Sequence, residues 1–203
     1  MNIFSFLRRR KPIPEPWAKY YTKEELNIKI PDISMYDQVK KSAHLYPEYI
    51  AYEYMGKKCL YKDLLNEINA WAKIFSKSGV KHGDIVSISL PNIPNVLVVL
   101  YALNKIGAIA NMVHPLSSEE EILFSLNSTK SKYLVMLNTF YSKIENIIDN
   151  SKVEAVIFAS ASDYMPFFTK FAYNITQIGK YKKYPKISTF FEYIKKDILK
   201  NIN

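Results

Sequence analysis

Four groups of residues in this chain have types and spacings that invite a chemical reading. His114 stands beside Pro115 at the C-terminal end of a predicted strand, the edge where open α/β sheets place their ligands, and an imidazole there could move a proton near neutral pH. No acid, base or metal partner can be assigned to it by spacing, so a hydrogen-bonded turn residue is expected. Glu119, Glu120 and Glu121 form a carboxylate run, but they fall in the first turn of a predicted helix, where the macrodipole accounts for them. Asn127-Ser128-Thr129-Lys130-Ser131-Lys132 has the polarity of a phosphate loop. It holds no glycine and precedes a strand instead of joining strand to helix, so it reads as a helix-to-strand turn. Cys59, between Lys58 and Leu60 in a predicted strand, has at most one neighbouring cation to activate it; a buried structural thiol is expected. No catalytic, cofactor-binding or metal-ligating residue is therefore assigned.

Composition sharpens the exclusions. One cysteine forbids an internal disulfide, and His44, His82 and His114 are scattered too widely for a zinc site. The five glycines, at 56, 79, 83, 107 and 179, are isolated, so no Gly-x-Gly or Gly-Lys-Ser/Thr phosphate cradle can be assembled. The net charge of +9 invites a nucleic-acid reading until it is located. Residues 1 to 30 carry 7 basic and 3 acidic groups, residues 163 to 203 carry 8 and 3, and the stretch 31 to 162 carries 13 of each. A neutral middle between basic ends is no recognition face, and no nucleic acid is expected as a partner.

The opening MNIFSFLRRRKPIPEPW places its basic residues after a short apolar run, the reverse of a secretory signal. The most apolar stretch, Val96 to Leu103, is far below the ~20 residues that span a bilayer. A cytoplasmic chain is expected. Phe4, Phe6 and Leu7 beside Arg8, Arg9, Arg10 and Lys11 suit weak contact with an anionic membrane surface.

Hydrophobic periodicity supplies the elements that would position any site. Tyr36, Val39 and Ala43 predict a helix opened by Asp32 or Ser34, and IAYEY (50 to 54) with CLY (59 to 61) predict a hairpin turning through Met55 to Lys58. Leu64, Leu65, Ile68, Trp71, Ala72 and Phe75 line one face of a helix stopped by Gly79. Strands then alternate with helices. Strand 85 to 90 leads to a helix capped by Asn95 and ended by Gly107; strand 108 to 113 leads to a helix opened by a Ser118–Glu121 capping box. Strand 133 to 137 leads to a helix carrying Ile144, Ile147 and Ile148, and strand 153 to 159 closes the series. The fold class is α/β: a mainly parallel sheet, its strands covered on both faces by helices, preceded by a small β-hairpin. Right-handed crossovers would bring Leu90, Val113, Leu137 and Ala159 to one edge. Thr189 and Glu192 predict the cap of a last helix with Phe191, Ile194 and Ile198. The expected organisation is a basic lead-in at 1–34, an α/β core at 35–162 and a basic helical extension at 163–203.

Several short motifs recur in a telling order: Tyr61 to Leu64 as Tyr-x-x-Leu, Gly79-Val80-Lys81-His82-Gly83-Asp84-Ile85-Val86, Leu90-Pro91-Asn92, Lys105-Ile106-Gly107-Ala108 and His114-Pro115-Leu116. In this order and spacing they resemble the opening of the adenylate-forming superfamily, the AMP-binding acyl-CoA synthetases. His114 stands where that family most often has Asn. Pro16-Trp17-Ala18-Lys19-Tyr20-Tyr21 and the stretch ASDYMPFFTKFAYNI with GKYKKYPK are similar to segments of fatty-acyl-CoA ligases.

The resemblance implies the N-terminal part of an enzyme that joins a fatty acid to CoA through an acyl-adenylate, with ATP, Mg and CoA serving the full-length enzyme and none of them in this chain alone. It stops before the family's Ser/Thr/Gly loop ending Pro-Lys-Gly, its Tyr-Gly-x-Thr-Glu element, its ribose-binding Asp and its catalytic Lys. The implied partner is the missing remainder of the enzyme, and the chain alone is expected to be inactive. The alternative is a stand-alone non-enzymatic module using the same scaffold for protein or membrane-surface contacts.

Overall fold

The structure, a computed structural model, describes residues 15–177, which divide between two units, 15–32 and 33–177; the last helix expected with Phe191, Ile194 and Ile198 lies outside the described residues. In the first, α1 (Lys23–Leu26) is a single turn held by a capping box: Glu25 N–H donates to Thr22 Oγ1 at 3.2 Å and Thr22 N–H to Glu25 Oε2 at 2.7 Å. That reciprocal pair satisfies two of the orphan donors at a helix start.

In the second unit, Ser34 caps α2 (Met35–Leu45), accepting from Asp37 N–H at 3.0 Å. The hairpin β1 (Ile50–Tyr54) and β2 (Lys57–Leu60) closes through only Met55 and Gly56, both at positive φ (49° and 80°). Such a tight turn suits the strand twist, so β2 resumes at Lys57 and the turn is two residues shorter than expected. Next, α3 (Tyr61–Lys77) buries Leu64, Ile68, Trp71, Ala72 and Phe75. It ends as the periodicity required: Gly79 at φ 90° lets Gly79 N–H reach Ser76 O and Val80 N–H reach Phe75 O, the paired bonds of a Schellman motif.

β3 (Ile85–Ser89), α4 (Pro94–Ile106), β4 (Ile109–Met112), α5 (Glu119–Thr129), β5 (Tyr133–Leu137), β6 (Ala155–Ala159) and α6 (Phe167–Gln177) follow. The sheet order is β4-β3-β5-β6, parallel throughout. On one face Val86, Ile88, Val135 and Ile157 pack with α2, α3 and α4 around Phe75, Val98 and Leu103; on the other Leu134 and Met136 meet Ile122, Leu126 and Ile144. The fold is thus α/β with helices on both faces of the sheet. Lys132 Nζ, 2.8 Å from Asp84 Oδ1, ties the start of β5 to the start of β3. With Lys81 N–H also donating at 2.9 Å, the Asp84 carboxyl is held below its ordinary pKa.

Three expectations need correction. Asn95 does not cap α4: Ile93 occupies that position and Pro94 the first turn, where its missing N–H and fixed φ suit a helix start. No α-helix follows Thr139. The stretch forms 3-10 turns at Asn138–Lys143 and Ile148–Asn150, because its Asn, Ser, Asp and β-branched residues are weak helix formers. Ile144 is nonetheless fully buried. Finally, β4 is an edge strand, with Ile109 52% and Met112 54% exposed, so it is not covered on both faces.

Between β3, β4 and α5 lies a polar cluster that apolar periodicity did not announce. Asn111 Nδ2 donates to Ser87 Oγ at 2.8 Å and Ser125 Oγ at 3.1 Å, Ser87 Oγ meets Ser131 Oγ at 2.7 Å, and Thr129 Oγ1 meets Ser131 Oγ at 2.7 Å. Buried hydroxyls with such partners are stable, and costly once orphaned. Asn111→Ala is expected to destabilise the fold by about 1–2 kcal/mol, read from urea melts; a loss within roughly 0.3 kcal/mol would show the cluster to be energetically idle.

Candidate functional site

The parallel sheet brings Leu90, Val113, Leu137 and Ala159 to one edge. The chain leaves β3 for β4 on one side and returns to β5 on the other, so the topological switch point lies between β3 and β5. This is where open α/β sheets offer a crevice. Two elements flank it. Asn95, in the first turn of α4 and wholly buried, donates from Nδ2 to Asp163 Oδ2 at 3.3 Å. Asp163 also accepts from Ser160 N–H at 3.1 Å, capping the 3-10 turn Ala161–Tyr164 that leaves β6. This side-chain link clamps the start of α4 to the exit of β6. Asn95 Oδ1, and Asn138 Oδ1 just after β5, are buried without a hydrogen-bond partner among the described residues. The edge therefore offers acceptors. Sequence reasoning missed the link because it joins residues 68 positions apart; a polar residue inside the most apolar helix was the available signal.

The residues considered first are not brought together. His114 lies exposed after β4, its Nδ1 accepting from Leu116 N–H at 3.3 Å, a local turn contact. Glu121 serves the capping box with Ser118, its Oε2 accepting Ser118 N–H at 3.0 Å. Lys130 takes the left-handed conformation (φ 55°) that ends α5, and Ser131 is buried in the polar cluster, so the 127–132 run is a helix-to-strand turn.

Cys59 sits in a cleft of about 330 Å3 lined by Tyr52, Lys57, Asp63, Glu67 and Tyr164. Burial pushes its thiol pKa up, and Sγ lies 3.6 Å from Leu60 O. That is the opposite of an activated nucleophile. The Tyr52 and Tyr164 rings meet edge to face at 6.4 Å. Burial first, then the nearby Glu67 carboxylate, drives the Tyr164 hydroxyl far above the ordinary tyrosine range; burial and a hydrogen bond with Cys59 do the same to Tyr52. Neither hydroxyl can act as a base at neutral pH.

A magnesium triphosphate does not fit what is described. Among the described residues no three His, Cys, Asp or Glu side chains could hold a metal. The strand-to-helix connection after β3 is Leu90-Pro91-Asn92-Ile93, without glycine, and each described glycine, 56, 79, 83 and 107, sits at positive φ in a turn. The motifs singled out in the sequence have structural duties instead. Gly79, Gly83 and Asp84 build the turn from α3 to β3, and Lys105, preceding Gly107 at the end of α4, donates to Asn69 and lies 4.9 Å above the Tyr36 ring.

Comparison with known proteins assigns this scaffold. The model of the family described as AMP-binding enzyme matches residues 39–177. The chain belongs to that family. Within it, the chain is similar to a long-chain-fatty-acid–CoA ligase of Bacillus subtilis strain 168, with 26% identity over 188 residues, 90% of this chain and 34% of the relative. A ligase of the same name from Escherichia coli O6:H1 is 27% identical over 131 residues, 64% of this chain and 23% of the relative. A solved long-chain-fatty-acid-CoA ligase from Archaeoglobus fulgidus shares the fold, with a TM-score of 0.61 at 20% identity over 68% of this chain and 30% of that one. This AMP-binding family member thus spans about a third or less of the length of these relatives. Among its described residues no helix is long and apolar enough to cross a membrane.

Proposed function

We propose that this chain supplies the N-terminal scaffold of an ATP-dependent fatty-acid CoA ligase, and that the chemistry belongs to other parts of such an enzyme. The observation that carries the reading is the family match across residues 39–177, on a sheet whose C-terminal edge is intact. Adenylation of a carboxylate needs cations and donors that neutralise charge developing on the phosphates. The described residues offer none of that constellation, so ATP, Mg and CoA would be held by the remainder of the enzyme. This chain would contribute support and one wall of an acyl site. The open edge at β4, where Ile109, Met112, Leu116 and Phe124 are all more than half exposed, supports a partner surface for that remainder. The N-terminal Phe4, Phe6, Leu7 and RRRK segment, outside the described residues, is proposed to touch anionic membrane weakly.

Calorimetry with Mg-ATP and a pyrophosphate-release assay with long-chain acid and CoA test this. The 203 residues alone are expected to show background in both, and to gain acid-dependent release when co-expressed with the matching remainder of a family ligase. Saturable ATP binding or pyrophosphate release by the isolated chain would overturn the reading. Failure of every matched remainder to restore activity would favour the alternative, a non-enzymatic binding module.

A further inference from the structure

The β1–β2 hairpin and α3 enclose a cleft whose two walls differ in charge. Alternation along β2 sets Lys57 and Cys59 on one face of the hairpin, with Tyr52 opposite Cys59 in register. On α3, Asp63 and Glu67 stand four residues apart on one face, and Tyr164 joins the lining from the turn after β6. The deep groups are already partnered: the Tyr52 hydroxyl is hydrogen-bonded with the Cys59 thiol, and the Tyr164 hydroxyl with the Glu67 carboxylate. At the rim, Lys57 and Asp63 are exposed, and neither is in an ion pair among the described residues. The Cys59 thiol pKa is raised chiefly by burial, and behind that Asp63 raises it further while Lys57 lowers it, so both rim charges act toward the interior.

Volume and charge identify the ligand. About 330 Å3 is at the small end for ligand sites and suits one small molecule. A simple anion would be repelled by Asp63 and by Glu67 beneath it, and a simple cation by Lys57, whereas a molecule bearing both charges satisfies both walls. Between the walls, the Tyr52 and Tyr164 rings, edge to face at 6.4 Å, offer aromatic surface to a further ring. We infer that this cleft binds a free aromatic amino acid as its zwitterion, with the ammonium at Asp63, the carboxylate at Lys57 and the ring against Tyr52 and Tyr164. The cleft is built on the hairpin and α3, apart from the crevice between β3 and β5, and it does not depend on whether the chain serves a ligase.

Ligand-observed NMR titration of the full 203-residue chain with L-phenylalanine tests the inference. Two analogues accompany it: hydrocinnamate, which lacks the ammonium, and phenethylamine, which lacks the carboxylate. L-Phenylalanine is expected to bind saturably, and each analogue to bind roughly fivefold or more weakly. Asp63→Asn should weaken phenylalanine and phenethylamine by about twofold to fivefold without weakening hydrocinnamate. Lys57→Gln should do the reverse, weakening phenylalanine and hydrocinnamate but not phenethylamine. Because both side chains are exposed, neither substitution should move the melting temperature appreciably. The inference is overturned by any of three results: no saturable binding of phenylalanine, an analogue that binds as tightly as phenylalanine, or variants that both bind phenylalanine as tightly as the parent chain.

Discussion

Phe75→Ala should lower the unfolding free energy by about 3–5 kcal/mol, enough to unfold a marginal domain near physiological temperature. Phe75 is fully buried where α3 faces the sheet, its ring 5.6 Å from Trp71 at 41°. Its neighbours belong to one cluster that draws on α2, α3, α4, β3, β5 and β6. A void there cannot be filled by moving one element, because the surrounding side chains are anchored to the sheet. Phe75→Leu, which keeps most of the volume, should lose far less, roughly 1–1.5 kcal/mol. Urea denaturation of the three proteins decides it; similar losses for Ala and Leu would mean that the aromatic contact, rather than volume, dominates.

Gly107→Val is expected to cost about 2–3 kcal/mol, from two sources that can be separated. Gly107 ends α4 in the left-handed conformation (φ 72°, ψ 20°), which a β-branched residue tolerates poorly. A Cβ on that backbone would also overlap the His82 ring, and the two loops are already joined by Gly83 N–H donating to Gly107 O at 2.8 Å. Because His82 is exposed, removing its ring relieves the second source alone. In a His82→Ala background, Gly107→Val should retain roughly 1–2 kcal/mol of its penalty. A double-mutant cycle by thermal melts measures the difference. Full recovery in that background would assign the whole cost to the imidazole and none to the backbone.

The elements most legible in the sequence were those fixed by local chemistry. Gly79 and Gly107 end their helices and Ser118 and Glu121 close a capping box, because each depends on residues a few positions apart, and the strands alternate with helices along the chain in lengths that suit parallel pairing. What escaped depends on distant partners. The Asn95–Asp163 bond and the cluster of Ser87, Asn111, Ser125, Thr129 and Ser131 arise only after the sheet has brought the segments together. Ser87 and Ser89 alternating with Val86 and Ile88 did carry a trace of it. The exposure of β4 could not be read from its apolar sequence, since the same pattern suits a central strand and an edge whose cover lies elsewhere. The helix expected to carry Ile144, Ile147 and Ile148 failed for another reason: its periodicity was right for burial, but propensity favoured tighter turns. For the site, the sequence did not show that Gly79, Gly83 and Asp84 work as a turn.

The strand order β4-β3-β5-β6 also bears on how the protein is made. β3 emerges from the ribosome first, β4 joins one flank, β5 joins the other, and β6 extends that second flank. Every arriving strand docks on an existing border, and none has to pry apart a pair already formed. Assembly can keep pace with translation, where parallel pairing would otherwise await distant segments. The same order leaves β6 as a border on which a further strand could dock without disturbing those already laid down.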